Sequence, residues 1–523
     1  MEEKKLNHYS EFLVKEFCKK TVFNSEKGMT VNTIVSEIAA WYEKLRNAIE
    51  YRDEEVILRA AIERILKRRL ISSGNGEKVA TPLIRELIWA RYFPDGSIEE
   101  KTITDVAKTI NLYLSLKNQV VKQHKIKEAV MTTWMFQLMS SHLEDILNLN
   151  QGKETMVNYI YHLIKDNITI TDDTQVVRDA QVYISIKKAY AKNDIALLRY
   201  SLFVQYFGKL TDESLPTVTQ NFWQGYTEIE TQLNYPLRHK IFTYVKRQIP
   251  PFLIFEDILR IQKENIYDLL KNDEEFKNSI FKTCQKHYNG ISAKVRRAVI
   301  RSFIFVLLSK VFVAFAIEGT YENLFYGRIM WGSISLNIII PSFLMVAVGL
   351  FIRTPGKENS ERIFSRIQTL LFDPNPKIGR NIILRKTPQN NQPFLTSVFN
   401  FSWFATFILS FGLVIYVLTR LNFTFVSQII FVFFLAIVSF LAYRINQTAK
   451  LYTVEDKQNI LSPIIDFFFM PIARVGRYLT EGISQINIFL FILDFVIETP
   501  FKGIVSFFDQ WFFFLHSKRE DLG

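Results

Sequence analysis

The chain has little of what most enzyme and metal signatures are made from. Only two cysteines, Cys18 and Cys284, occur in 523 residues. A disulfide framework of the kind that staples small secreted domains needs more. The one Cys-x-x-His pair, Cys284 with His287, has no second pair nearby in sequence to complete a zinc site. The seven histidines are scattered and form no His-Glu-x-x-His. Gly74-Asn75-Gly76-Glu77-Lys78 lacks the spacing of a P-loop, and no Gly-x-Ser-x-Gly elbow occurs. The familiar hydrolase, zinc-protease and P-loop enzyme classes are therefore not indicated, and the sequence points to no catalytic residue, cofactor or metal ligand. The first 300 residues also lack any apolar run long enough to cross a bilayer.

The last 220 or so residues differ sharply. A hydrocarbon core about 30 Å thick takes roughly 20 apolar residues in a helix. Segments 329–352, 394–419 and 421–443 each reach that length without a charged side chain. A fourth run, 302–317, is shorter and carries Lys310. Charge bias in the loops decides whether it spans. Segment 353–393 holds Arg353, Lys357, Arg362, Arg366, Lys377, Arg380, Arg385 and Lys386 against Glu358, Glu361 and Asp373, and so is expected to be cytoplasmic. Lys294, Arg296, Arg297 and Arg301 give the same sign before the short run, whereas 318–328 carries Glu318 and Glu322 against Arg328. The pattern in, out, in requires the run with Lys310 to span. Four spans with both termini cytoplasmic follow. The third and fourth, joined by Thr419-Arg420-Leu421-Asn422, must form a tight hairpin.

The N-terminus begins Met-Glu-Glu-Lys-Lys without the apolar stretch of a signal peptide. The first span is thus expected to act as an internal signal anchor, and both cysteines to stay reduced in the cytoplasm. The net charge of +12 suggests nucleic acid at first sight. Residues 1–300, however, hold 44 Lys and Arg against 38 Asp and Glu, an ordinary mixed surface. The rest of the excess sits near the membrane, where the positive-inside bias and anionic lipid head groups account for it. No nucleic-acid partner is expected. The expected partners are the bilayer with its anionic head groups, a protein on the N-terminal domain, and further copies of the chain.

Residues 1–290 read as helix, a cytoplasmic domain with a possible subdivision near 150. The clearest case is 53–70, where Leu58, Ala61, Ile62, Ile65 and Leu66 follow the spacing of one buried face. Asp53, Glu54 and Glu55 open this helix and Lys67, Arg68 and Arg69 close it, complementing its dipole. The basic end reads as a solvated helix terminus rather than a phosphate or lipid patch. Lys-Asn-Asp occurs at 192–194 and 271–273, each between helical runs, and each aspartate is expected to cap the helix that follows. No fixed repeat period runs through the domain. Pro250-Pro251 marks another break.

The predicted order is therefore a helical domain to 290, a first transmembrane pair at 291–352, a basic loop at 353–393, a transmembrane hairpin at 394–443, and a tail at 444–523. Beyond 443 no apolar segment makes a clean span. Arg477, Glu481, Ser484, Asn487, Asp494 and Glu498 form a polar stripe opposite Ile, Leu, Phe and Val. After Pro500, Lys502, Ser506, Asp509 and Gln510 lie opposite Ile504, Phe508, Trp511 and Phe512. These are amphipathic helices. They are expected to lie in the head-group region with Phe and Trp inserted; they could instead cover an apolar face of the soluble domain or form a re-entrant pair.

Three groups of residues are candidates for chemistry. Lys310 lies inside a span, where a charge faces protein or water; the alternatives are an ion, proton or head-group site and a lysine that snorkels or pairs for packing. Asn337 and Pro341 share the second span, where proline frees a carbonyl and asparagine can bond across helices. Asp494 and Glu498, at i and i+4, place two carboxylates on one helix face and could hold a cation or proton; the alternative is the wet side of an interfacial helix.

Two stretches, RDEEVILRAAIERILKRRL (52–70) and PIARVGRYLTEGISQINIFLFILDFVIETPFK (471–502), resemble a group of multi-pass membrane proteins of small-genome candidate-phylum bacteria. The group has no assigned activity, so the resemblance implies a bacterial inner membrane and no site residue. Three functions compete. The leading expectation is a non-enzymatic membrane-anchored scaffold. Next comes an oligomeric channel or transporter using Lys310 and the kinked second span. An enzyme acting on lipid or envelope precursors through the basic loop and the tail comes last.

Overall fold

Helix is the outcome of nearly every apolar pattern in the chain. The computed structural model describes residues 5–19, 28–50, 54–124, 127–147, 151–376, 378–386, 393–454, 462–484 and 499–520. The chain divides into two units. A helical unit takes His8–Ile249, Lys377–Lys386 and Ile488–Gly523; a membrane unit takes Met1–Asn7, Pro250–Pro376 and Thr387–Asn487.

The helical unit contains α1 (His8–Cys18), α2 (Thr33–Glu50), α3 (Glu54–Ser73), α4 (Gly76–Trp89), α5 (Glu100–His124), α6 (Glu128–Leu147) and α7 (Gln151–Ile164), then a short strand β1 (Ile168–Ile170). It continues through α8 (Gln175–Ala189), α9 (Ile195–Phe207), α10 (Leu215–Leu233) and α11 (Arg238–Gln248). The membrane unit contains α12 (Pro250–Ile261), α13 (Ile266–Lys271), α14 (Asp273–Val313), a π-helical turn (Ala314–Gly319), α15 (Thr320–Tyr326), α16 (Trp331–Phe351) and α17 (Lys357–Phe372). The short strand β2 (Ile382–Leu384) then returns to the helical unit, before α18 (Pro393–Arg420), α19 (Phe425–Ala449) and α20 (Ser462–Ser484) complete the membrane unit. The last helix, α21 (Thr499–Glu520), belongs to the helical unit.

In the helical unit α3, α4, α5, α6, α9 and α10 pack in succession around one apolar core. Ile62, Leu66, Leu83, Ile84, Tyr113 and Phe203 are fully buried in it. Each such side chain contributes about 1.5–3 kcal/mol by leaving water. The α3 stripe faces this core as its spacing predicts, with Leu58 partly buried against it. The turn after α3 is made by Gly74, at φ +72°, and Asn75, whose side chain accepts from Lys78 N at the start of α4. A Cβ at Gly76 would collide with the Ala107 carbonyl oxygen, so this turn can sit against α5 only with glycine there.

The basic end of α3 is not a solvated terminus. Arg68 and Arg69 both bind the carboxylate of Glu86 on α4, which is completely buried, and Lys67 pairs with Glu63 at 2.6 Å. A carboxylate taken out of water needs charged partners, and Arg68 and Arg69 supply them. The capping expectation holds at one Lys-Asn-Asp and shifts at the other. Asp194 caps α9, accepting from Leu197 N at 3.0 Å. At the second, Asn272 is the cap, accepting from Glu274 N and Glu275 N. Asp273 is thereby moved into the first turn, where its charge suits the helix dipole.

Segment 353–393 is more than a loop. It folds into α17, burying Ile363, Ile367, Leu370 and Leu371 at the i, i+4, i+7, i+8 positions of one face, and into β2, which pairs in parallel with β1 in the register Ile168↔Ile382. The tail also divides. α20 packs along α18 and α19 of its own unit, with Gly476 against the Ala436 carbonyl and Arg474 over the Trp403 ring, whereas α21 docks on the helical unit.

Glu86 gives a test of the ion-pair network. Burial acts to raise its pKa, but Arg68, Lys502 and Arg69 outweigh burial and hold it below the usual carboxylate value. A carboxylate lowered in the folded state contributes stability that is complete above its unfolded value and lost as pH falls through the folded one. Glu86→Gln, which leaves the buried cations without their counterion, is expected to cost about 3 kcal/mol at neutral pH. Denaturant unfolding of the full chain in detergent should show this loss, and the gap to the parent protein should narrow on acidification below the usual glutamate range.

Candidate functional site

Inside a bilayer no water is at hand for a polar side chain, so each must find its partner in the protein. Four helices of the membrane unit are long and apolar enough to cross: Asp273–Tyr326, Trp331–Phe351, Ser397–Arg420 and Phe425–Ala449. The first is a continuous helix of 54 residues, made of α14, the π turn and α15. Its start is fixed by the Asn272 cap and three acidic residues in the first turn. The turn between the last two spans is as tight as the sequence implies. Asn422 takes a left-handed φ of 59°, a conformation asparagine tolerates, and Thr424 caps α19 by accepting from Ser427 N.

Lys310 on α14, Glu318 on the π turn, Asn337 on α16 and Ser427 on α19 meet in one buried cluster. Asn337 is its centre. Its Oδ1 accepts from the Lys310 ammonium, and its Nδ2 donates to Glu318 Oε2 at 2.9 Å, to Glu318 Oε1 at 3.1 Å and to the Ser427 carbonyl at 3.3 Å. The Ser427 hydroxyl donates to Glu318 as well. The ammonium also lies 4.7 Å from the centre of the Phe434 ring and 5.6 Å from that of Phe431, where the negative ring faces attract a cation. Lys310 is only 1 % exposed, and the other three are fully buried.

The backbone explains how groups eight residues apart serve one amide. Two regular helical turns take about 7.2 residues. A π turn is wider, so Ala314–Gly319 takes up the excess and brings Glu318 back toward the face of Lys310. Ser427 lies in the first turn of α19, whose N-terminal dipole end favours a nearby carboxylate. Pro341 is buried one turn beyond Asn337 and has no N–H to give to the Asn337 carbonyl four residues earlier. Beside it the Ser342 hydroxyl bonds to the Ile338 carbonyl at 2.8 Å. One group near the cluster is incompletely matched. Glu322 is fully buried and accepts from Met330 N at 2.7 Å through Oε2, while Oε1 has no partner among the described residues.

Of the residues singled out in the sequence, Lys310 and Asn337 are in direct contact and Pro341 sits on the same helix as Asn337. Asp494 and Glu498 lie outside the described residues. Glu318 is legible as lying on a similar helix face to Lys310, but Ser427 and Glu322 carry no sequence signal, because what marks them is a contact across the fold. Cys284 and His287 face different neighbours: Cys284 is buried beside Tyr288 and Ser360, and His287 binds Asp257 and stacks on Tyr452. Among the described residues no three His, Cys, Asp or Glu side chains come together as metal ligands would. In the basic segment, Arg385 Nε donates to Thr171 and Lys386 pairs with Asp173 at 3.5 Å, so both side chains are engaged within the helical unit.

The fold and site define an all-α protein carrying four helices fit to cross a membrane and a buried ionic cluster among them. No family model, curated protein or solved structure matches the chain.

If the cluster clamps the helices, Lys310→Met and Glu318→Gln should each destabilise the detergent-solubilised protein by about 3 kcal/mol, since each leaves a buried charge without its countercharge. The double variant, which removes both charges, should lose less than the sum of the two. Additive losses in a thermal unfolding series would show that the two groups do not act as a pair.

Proposed function

We propose that this chain is a non-enzymatic, membrane-anchored scaffold of a bacterial inner membrane. In this reading both termini are cytoplasmic and the helical unit offers its surface to a protein partner. The observation that supports it best is the closure of the Lys310 cluster. A lysine that lines a conducting path keeps its ammonium toward water; here it is taken up by Asn337 and by two phenylalanine faces, with Glu318 held on the same amide. Such a cluster holds α14, α16 and α19 together and gives the spans a fixed arrangement from which the large helical unit is displayed.

A second reading, an oligomeric transporter, draws on the Oε1 of Glu322, which has no partner among the described residues, and on the π turn, since such turns recur at functional sites. The two readings separate in proteoliposomes. The scaffold predicts no cation or proton flux from the full-length protein under imposed gradients, and none from Lys310→Met. It also predicts that cross-linking in native membranes joins the helical unit to a defined protein. Flux from the parent protein that changes in Lys310→Met would replace the scaffold by the transporter.

A further inference from the structure

The last helix is docked with its polar side inward. Lys502 and Asp509 of α21 are buried: Lys502 contributes to the charge around Glu86, and Asp509 Oδ1 accepts from Asn32 N at 3.1 Å. Val505 enters the apolar core between them, and Phe501 stacks on Tyr42 at 4.5 Å. The opposite face carries Ile504, Phe507, Phe508, Trp511, Phe514 and Leu515, each between 43 and 63 % exposed. Their spacing of three and four residues makes one stripe along the helix. α2 lies beside α21 and runs antiparallel to it, with Asn32 against Asp509 and Tyr42 against Phe501. It adds Ile34, Ile38 and Trp41 on its own outer face, again at helical spacing.

An amphipathic helix in water turns its apolar side to the core. This one turns it outward, and its place is fixed by a buried lysine and a buried aspartate. We propose that the outer face of α21, extended by Ile34, Ile38 and Trp41 of α2, is a lipid-binding surface that inserts into the interfacial layer of the bilayer. Three observations select lipid as the occupant. The stripe is built of Phe, Trp, Ile and Leu, the residues that enter the acyl boundary. The same chain carries four membrane-crossing helices, the last ending at Ala449, 50 residues before Thr499. Covalent continuity with those helices keeps a bilayer at high effective concentration whatever else is in solution. The buried side is already satisfied by the helical unit, so the stripe is free to meet a second phase without unfolding anything. The inference does not rest on the scaffold reading, because a transporter could use the same foot.

The test uses the full-length chain, with Cys18 and Cys284 replaced by alanine, reconstituted into vesicles of phosphatidylcholine and phosphatidylglycerol. Spin labels are placed one at a time at Phe507→Cys and Trp511→Cys, both on the outer face and outside the packed side of α21. The expected result is labels open to oxygen, which partitions into lipid, and shielded from a water-soluble nickel chelate. Phe508→Glu combined with Phe514→Glu should restore the chelate's access while leaving unfolding of the protein unchanged. Labels open to the chelate in the parent background overturn the proposal in favour of a water-facing helix. Labels shielded from both probes overturn it in favour of a protein cover, whether a second copy or another chain.

Discussion

A charge inside a bilayer must be met from within the protein, and in this molecule Asn337 meets two at once. Its amide has one acceptor and one donor end. The first takes the Lys310 ammonium and the second takes the Glu318 carboxylate, so a single neutral side chain sits between opposite charges. The π turn places the carboxylate, the start of α19 supplies the hydroxyl of Ser427, and the phenylalanines of the same helix cover the cation. Removing Asn337 takes from both charges the partner they share. The mutual position of three spans follows from that requirement more than from apolar contact, because lipid tails compete on equal terms with leucine and phenylalanine.

The helical unit meets a buried charge in the same way. Glu86 is as deeply buried as Glu318, and its partners are three cations from two distant parts of the chain. Arg68 and Arg69 come from the neighbouring helix, but Lys502 comes from beyond the last span. The consequence is that α21 is held by a charge it brings to the core, with few apolar side chains of its own committed to that core. This leaves its aromatic side free.

What was legible in the sequence divides along the same line. Three spans appear because local composition decides them, the span with Lys310 because the charge of its flanking segments does, and the α3 stripe because burial repeats every turn. Lys310 and Asn337 stand out as polar residues in apolar runs. Ser427 does not, since a serine at the head of a span is an ordinary cap residue until the carboxylate it binds is known. Arg68 and Arg69 look like any basic helix end, because their partner is another segment's glutamate. The α17 face, Ile363, Ile367, Leu370 and Leu371, has a clear helical period but is masked by the basic residues around it, which draw attention to charge and away from spacing. In the tail the amphipathic pattern is plain; which side faces inward depends on Glu86, over 400 residues earlier.

The helix Asp273–Tyr326 runs unbroken for 54 residues, about 80 Å at 1.5 Å per residue. Its first turns pack on α12, α13 and α17, and its last carry the buried carboxylates. It holds no proline and no glycine pair, and its winding changes at the π turn Ala314–Gly319. Lys310 stands before the π turn and Glu318 within it, so the Asn337 amide ties the regular winding of the helix to the segment where that winding changes.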